Sequence, residues 1–224
     1  MPSSGKTIKY RPFLVKEEKL LVIALESEDT QQITSAIKAV ISDCILSKDV
    51  KIELLPTFDI EYLFLNIRGK SVGEVVEVNI VCPDDGETEV KVSISLDEIQ
   101  VVRNEEHTKT VKLDDTYFMD MRYPSLDQFI RNNFEFENPD MDQSFELIGS
   151  CIDKIYDNEE VWSTDDVTPQ EVKDFLEQLN STQFKEIEKF FSTMPKLSHT
   201  IDVKNPKTKK KSKVTLEGLS SFFA

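Results

Sequence analysis

The chain has 224 residues, 39% of them hydrophobic, with 42 acidic against 27 basic side chains and a formal charge of −15. That is enough apolar material for a core in one domain or two small ones, while the negative balance disfavours general nucleic-acid binding through repulsion from phosphate. The longest apolar run, Leu20 to Leu25, is far short of a membrane span, and the first residues lack the apolar stretch of a signal peptide, so no membrane span and a cytoplasmic site of synthesis are expected.

In chain order, the apolar spacing predicts a helical pair over Lys16–Ser27 and Asp29–Leu46. The second helix carries Ile33, Ile37, Val40, Ile41, Cys44 and Ile45 on one side, with Asp29 and Gln32 spaced as a capping box. A third helix lies within Leu55 to Glu74. Phe58, Ile60, Tyr62, Leu63, Phe64, Leu65 and Ile67 cover nearly all its faces, so it should be a buried central helix. Thr57 is the expected cap, and Arg68, Gly69 and Lys70 the expected C-terminal stop.

After Gly73 the period changes to two. Val76, Val78 and Ile80, then Val90, Val92, Ile94 and Leu96, predict a hairpin with its turn at Pro83 to Gly86. Val101–Val102, Thr108–Leu113 and Tyr117–Met121 add short strands. Helices return at Ser125, where Ser125 and Gln128 have capping-box spacing. Phe145, Ile148, Ile152 and Ile155 mark the next helix. Thr168, Pro169 and Glu171 form a cap, first-turn proline and reciprocal acid, followed by Val172, Phe175, Leu176 and Leu179. Phe184, Ile187, Phe190, Phe191 and Met194 define the last helix before Pro195 ends it. The expected fold is α+β: a mainly helical body with two β-hairpins, the first ribbon-like and metal-free, and a short C-terminal apolar tail. A single domain spans 1–224, with sub-parts 1–132 and 133–224 and a linker at 133–143.

Three blocks resemble the baseplate hub subunit and hub assembly family of T4-like tailed phages: Tyr10 to Leu25, Leu55 to Glu74, and Val214 to Phe223. They are spread over the whole chain, and none is a catalytic signature. The resemblance implies a structural or assembly role at the centre of a contractile-tail baseplate, in the virion tail. It implies as partners other hub proteins and the tape-measure protein.

Chemistry-bearing motifs are sparse. Three cysteines, Cys44, Cys82 and Cys151, are too few and too far apart for a disulfide framework, and Cys44 and Cys151 fall in helical patterns where a cysteine is a small core side chain. The Cys82-Pro83-Asp84-Asp85-Gly86 turn has the shape of a zinc knuckle, but Asp85 stands where the second thiolate belongs and no opposite knuckle exists. No Walker, dinucleotide-binding, nucleophile-elbow or zincin motif occurs, and six glycines leave little for a phosphate cradle. No cofactor and no enzyme activity are expected.

Two features remain for binding. Lys204, Lys207, Lys209, Lys210, Lys211 and Lys213 crowd into ten residues without an acid, leaving the rest of the chain with 42 acids against 21 bases. Flanked by two alternating segments, and with Asn205 and Pro206 as turn residues, they read as a hairpin tip. It is a solvated loop, a contact for an acidic protein partner or, last in order, a local contact for nucleic acid. Leu216, Leu219, Phe222 and Phe223 either fold back on the core or meet a partner. With Lys207, Lys209, Lys210 and Lys211 they form the expected partner-binding set. A competing reading of the net charge is an acidic protein that mimics nucleic acid or blocks a basic partner.

Overall fold

The computed structural model describes residues 1–27, 29–125, 128, 141–218 and 221. Its helices are α1 (Val15–Glu26), α2 (Thr30–Cys44), α3 (Thr57–Val72), α4 (Met141–Ser150), α5 (Pro169–Gln178) and α6 (Ser181–Thr193). Its strands are β1 (Val75–Val81), β2 (Glu89–Ser95), β3 (Gln100–Val102), β4 (Thr110–Lys112), β5 (Phe118–Met121), β6 (Ile152–Tyr156), β7 (Val161–Ser163), β8 (Lys196–Lys204) and β9 (Lys211–Glu217). Contacts divide the chain into one unit of Met1–Val102 with Lys196–Ala224, and a second of Arg103–Pro195.

In the first unit α3 is the buried centre. Phe58, Ile60, Leu65 and Ile67 are almost fully enclosed, each contributing roughly 1.5–3 kcal/mol from burial. Both expected ends of α3 are corrected. Pro56, not Thr57, occupies the cap position without a side-chain cap, and its carbonyl accepts from Asp59 N (3.0 Å) and Ile60 N (3.2 Å). Gly69 does not stop the helix, which continues to Val72 and ends at Gly73 (φ 130°). A Cβ at Gly69 would lie 3.0 Å from Leu96 Cδ1, so this glycine lets the segment after β2 pack close to the helix.

The helical pair is present. Asp29 Oδ1 accepts from Gln32 N (3.1 Å), while the Gln32 amide turns to the same carboxylate (3.0 Å) instead of closing the box on backbone. Ile37, Val40, Ile41 and Cys44 are buried on one side of α2. The strands β1 and β2 form an antiparallel two-stranded ribbon, Val75 facing Ser95 through Val81 facing Glu89. A separate sheet has the order β3-β8-β9. Val102 lies opposite Lys196, so the chain leaves the first unit and re-enters it at neighbouring points of one ladder.

The second unit is a four-stranded antiparallel meander, β4-β5-β6-β7, with α4, α5 and α6. Met119, Met121, Ile152, Leu176, Ile187 and Phe190 pack in its core. Thr168 and Glu171 make the predicted reciprocal cap of α5, and Asn180 and Gln183 make another on α6, each cap contributing about 1 kcal/mol.

A mainly helical body with two hairpins is therefore wrong: the described residues hold six helices and nine strands in three sheets. The largest misreading is at 145–155. Ile148, Ile152 and Ile155 have helical spacing, yet α4 ends at Ser150, Cys151 makes a buried turn, and Ile152–Tyr156 becomes β6. Pairing of β6 with β5, Met119 opposite Ile155 and Met121 opposite Ile152, overrides the local pattern. Ser125 and Gln128 do hydrogen-bond reciprocally, but the helix expected to follow them lies outside the described residues. So does the linker from 133 to 140, whereas 141–143 open α4.

Candidate functional site

The most developed polar arrangement joins the two hairpins of the first unit at their tips. The turn after β1 is closed by Gly86 N donating to Cys82 O (2.9 Å) and Cys82 N to Thr88 O (2.8 Å), with Gly86 at φ 69°. Asp85 secures this turn from inside by accepting from Glu87 N (3.1 Å), Thr88 N (3.0 Å) and Thr88 Oγ1 (2.5 Å). The position where a knuckle would carry its second thiolate thus caps the loop. Burial, and then the charges of Asp84 and Asp85, push the Cys82 thiol up, which makes it a poor thiolate ligand. Among the described residues no cluster of three or more His, Cys, Asp or Glu could hold a metal ion.

The tip of the β8–β9 hairpin is organised around Asn205, whose side chain is 1% exposed. Its Nδ2 donates to Asp84 Oδ1 (3.0 Å) and Asp85 Oδ2 (2.8 Å), while Oδ1 accepts from Lys207 N (2.8 Å) and Thr208 N (3.2 Å). Thr208 Oγ1 donates to Asp84 Oδ2. Two backbone bonds close the loop, Asn205 N to Lys210 O (2.9 Å) and Lys209 N to Asn205 O (3.0 Å), with Lys209 held at φ 66°. Hydrogen bonds hold both carboxylates below their usual range: for Asp84 those from Thr208 and Asn205, for Asp85 those from Thr88 foremost. Both are therefore charged at neutral pH.

The loop is thus fixed from below while its cations face solvent. Lys207, Lys209, Lys210 and Lys211 are all exposed, and none forms an ion pair among the described residues. Lys211 opens β9, and Leu216 lies half-buried near its end on the same face as Ser212 and Val214. Leu219, Phe222 and Phe223 lie outside the described residues. The lysines are together at one tip, then, with Leu216 at the opposite end of the strand. Sequence reasoning marked Asn205 as a turn residue but missed its bond to Asp84 and Asp85, which no local pattern encodes.

The first unit also holds an ion pair at the first turn of α1, between buried Glu17 and half-buried Arg11. Glu17 accepts from Arg11 Nη2 (2.9 Å) and Leu14 N (2.6 Å), with Lys16 at 3.2 Å. The Arg11 hydrogen bond foremost lowers its carboxyl to about 2.

In the second unit, a groove of about 570 Å³ is lined by Arg122, Phe145, Gly149, Thr164, Val172 and Lys173 among others. Its cations are engaged: Arg122 Nη2 donates to Ile152 O (2.9 Å) and Thr164 Oγ1 (2.8 Å), and Lys173 pairs with Asp142 (2.6 Å). Elsewhere in that unit His107 is held by Thr193 Oγ1 and Tyr123 OH, each at 3.0 Å. Because Thr193 Oγ1 donates to Lys189 O (2.6 Å), it accepts from His107 Nδ1, which leaves Nε2 to accept from Tyr123. Burial pushes the Cys151 thiol up to about 12. These groups are tied into structure, and neither histidine is hydrogen-bonded to a cysteine among the described residues.

The family model for T4 bacteriophage base plate protein matches residues 1–224. The chain belongs to this family. No curated protein and no solved structure gives a significant match. Membership makes it a structural baseplate component of the virion tail, whose interactions are with other baseplate proteins. No helix among the described residues is long and apolar enough to cross a membrane.

Proposed function

We propose that the chain is a non-catalytic component of the central hub of a contractile-tail baseplate, made in the host cytoplasm and working through protein–protein contacts. In this reading the whole chain serves as one baseplate module. Lys207, Lys209, Lys210 and Lys211 dock on an acidic patch of another hub protein or of the tape-measure protein, and Leu216, Leu219, Phe222 and Phe223 supply the apolar part of the contact. The observation that carries this is the bond of Asn205 to Asp84 and Asp85, which ties the lysine loop to the tip of the first hairpin. Preorganisation of this kind lowers the entropy lost on binding, and charge complementarity sets register and encounter rate.

The test is co-purification of tagged protein from infected cells, wild type beside the variant with Lys207, Lys209, Lys210 and Lys211 all changed to Glu. Wild type should retain baseplate proteins in a salt-sensitive manner, and the variant should lose them while keeping its melting temperature. Equal retention by both would remove the tip from the contact, whereas recovery of a host nuclease or polymerase in place of tail proteins would favour the acidic-mimic reading. Deleting 218–224 should block assembly and leave cooperative unfolding intact. Loss of cooperativity would make those residues core.

A further inference from the structure

The helix α1 exposes apolar side chains that its own unit does not cover. Glu17, Leu21 and Ala24 form the inward stripe of this helix. The opposite stripe, at the i, i+4, i+7, i+11 spacing of one face, is Val15, Lys19, Val22 and Glu26. Val15 is 79% exposed and Val22 47%, with Ile23 beside them at 50%. Val75 and Val81 on the first hairpin are also exposed, but singly, among charged neighbours. Among the described residues of the first unit, α1 carries the most of them, Val15, Leu20, Val22 and Ile23; in the second unit Val161 and Trp162 are exposed beside Tyr117. A helix apolar on both sides needs cover on both.

The stripe also carries its own complement. Lys19 and Glu26 flank Val22 and Ile23 symmetrically, seven residues or about 10 Å apart along the axis. Neither forms an ion pair among the described residues. When two such helices are laid antiparallel about a two-fold axis between Val22 and Ile23, Val22 of each meets Ile23 of the other. Lys19 then faces Glu26 of the other copy, and the pair occurs twice. A closed two-fold contact requires one patch to match itself, and opposite charges placed equally on either side of an apolar centre meet that requirement.

We infer that α1 is a self-association face, on which a second copy of this chain docks antiparallel through Val22 and Ile23 with reciprocal Lys19–Glu26 ion pairs. A contact of two short helices falls at the small end of specific interfaces, so the dimer is weak and concentration-dependent.

Sedimentation equilibrium of the full chain tests this. Wild type should pass from monomer to dimer as concentration rises, with Lys19→Glu and Glu26→Lys each weakening association roughly tenfold or more. An equimolar mixture of those two variants should associate again: the acid introduced at position 19 of one copy faces the lysine introduced at position 26 of the other, and the unaltered Lys19–Glu26 pair closes the other end. The double variant Lys19→Glu/Glu26→Lys should self-associate too, since both of its ion pairs are restored with the charges exchanged. Both altered side chains are exposed, and unchanged melting temperatures serve as the folding control. The inference is overturned if wild type stays monomeric up to roughly 1 mM, the weak limit of specific association. Association that survives the single reversals, or a mixture that fails to recover it, overturns it equally.

Discussion

Replacing Asn205 separates electrostatics from sterics at the joined hairpin tips. Asn205→Ala removes a buried amide that donates to two carboxylates and accepts from two backbone N–H groups. Hydrogen bonds to charged partners contribute about 1.5–3 kcal/mol each, and bonds sharing one side chain are not additive, so a total loss of about 2–4 kcal/mol is expected. In a unit of this size each kcal/mol shifts the melting temperature by about 3–6 °C. Asn205→Asp keeps the volume and both acceptor bonds, and on shape alone should be the milder change. It nonetheless replaces the donor with a third carboxylate facing Asp84 and Asp85, both held ionised by their remaining hydrogen bonds. Asn205→Asp is therefore expected to be the more destabilising at pH 7, with the order narrowing as pH falls into the carboxylate range and the new acid is protonated. Thermal and urea unfolding of both variants at pH 7 and pH 4 read this directly. If Asn205→Asp is as stable as Asn205→Ala at pH 7, or if both lie within about 0.5 kcal/mol of wild type as ordinary surface changes do, the two tips are not joined as described.

Glu17, lowered to about 2 from an ordinary 4.5, contributes stability that is fully present above pH 4.5 and is lost as pH falls towards 2. Urea midpoints of wild type and Glu17→Gln should differ most above pH 4.5 and converge below it; a constant gap would refute the Arg11–Glu17 pair. His107 is shifted the other way relative to its charge: burial first, then Lys109, lowers it from 6.5, while the Tyr123 hydroxyl donates to its neutral ring. Its contribution is present above pH 6.5 and declines below it, so His107→Gln should flatten the stability profile between pH 7 and pH 5, and an unaltered slope would contradict the assignment. Because Val102 and Lys196 lie opposite each other, deleting 103–195 and joining these residues through Asn-Gly, a two-residue hairpin turn, should leave the first unit cooperatively folded. A product without a cooperative transition would show that the first unit requires the second.

Legibility followed the length of each periodic signal. The α3 face was readable because seven apolar side chains fall within ten residues, and the α5 start because Thr168, Pro169 and Glu171 act on one another locally. The strands β1 and β2, seven residues each, were long enough to show alternation. Of the meander, β4 and β5 were readable as short strands within Thr108–Leu113 and Tyr117–Met121, but β6 and β7 were not: β7 has only three residues, and at β6 the helical spacing Ile148–Ile152–Ile155 outweighs the alternation of so short a strand. What decides Ile152–Tyr156 is the neighbouring β5 edge, information that lies more than thirty positions away in the chain.

The candidate site failed to show for the same physical reason on a larger scale. Asp84, Asp85 and Asn205 each had a sufficient local explanation as turn residues, so nothing in either hairpin called for a partner. Yet the two turns are 120 or more positions apart and meet through the Asn205 amide and the Thr208 hydroxyl. The turn chemistry was not incidental to that meeting. Asp85 must close its own loop before its second oxygen can be aimed, and Asn205 must spend Oδ1 on Lys207 and Thr208 before Nδ2 faces outward. Both residues are bifunctional: Asn205 satisfies its turn through Oδ1 and the other hairpin through Nδ2, and Asp85 closes its turn through both oxygens while Oδ2 also accepts from Asn205. A lysine-rich loop left to itself would repel and spread. Here the carboxylates beneath it are consumed by Asn205 and Thr208 and form no ion pair with the lysines, so the loop is held still without its charge being neutralised, and the cations stay available to a partner.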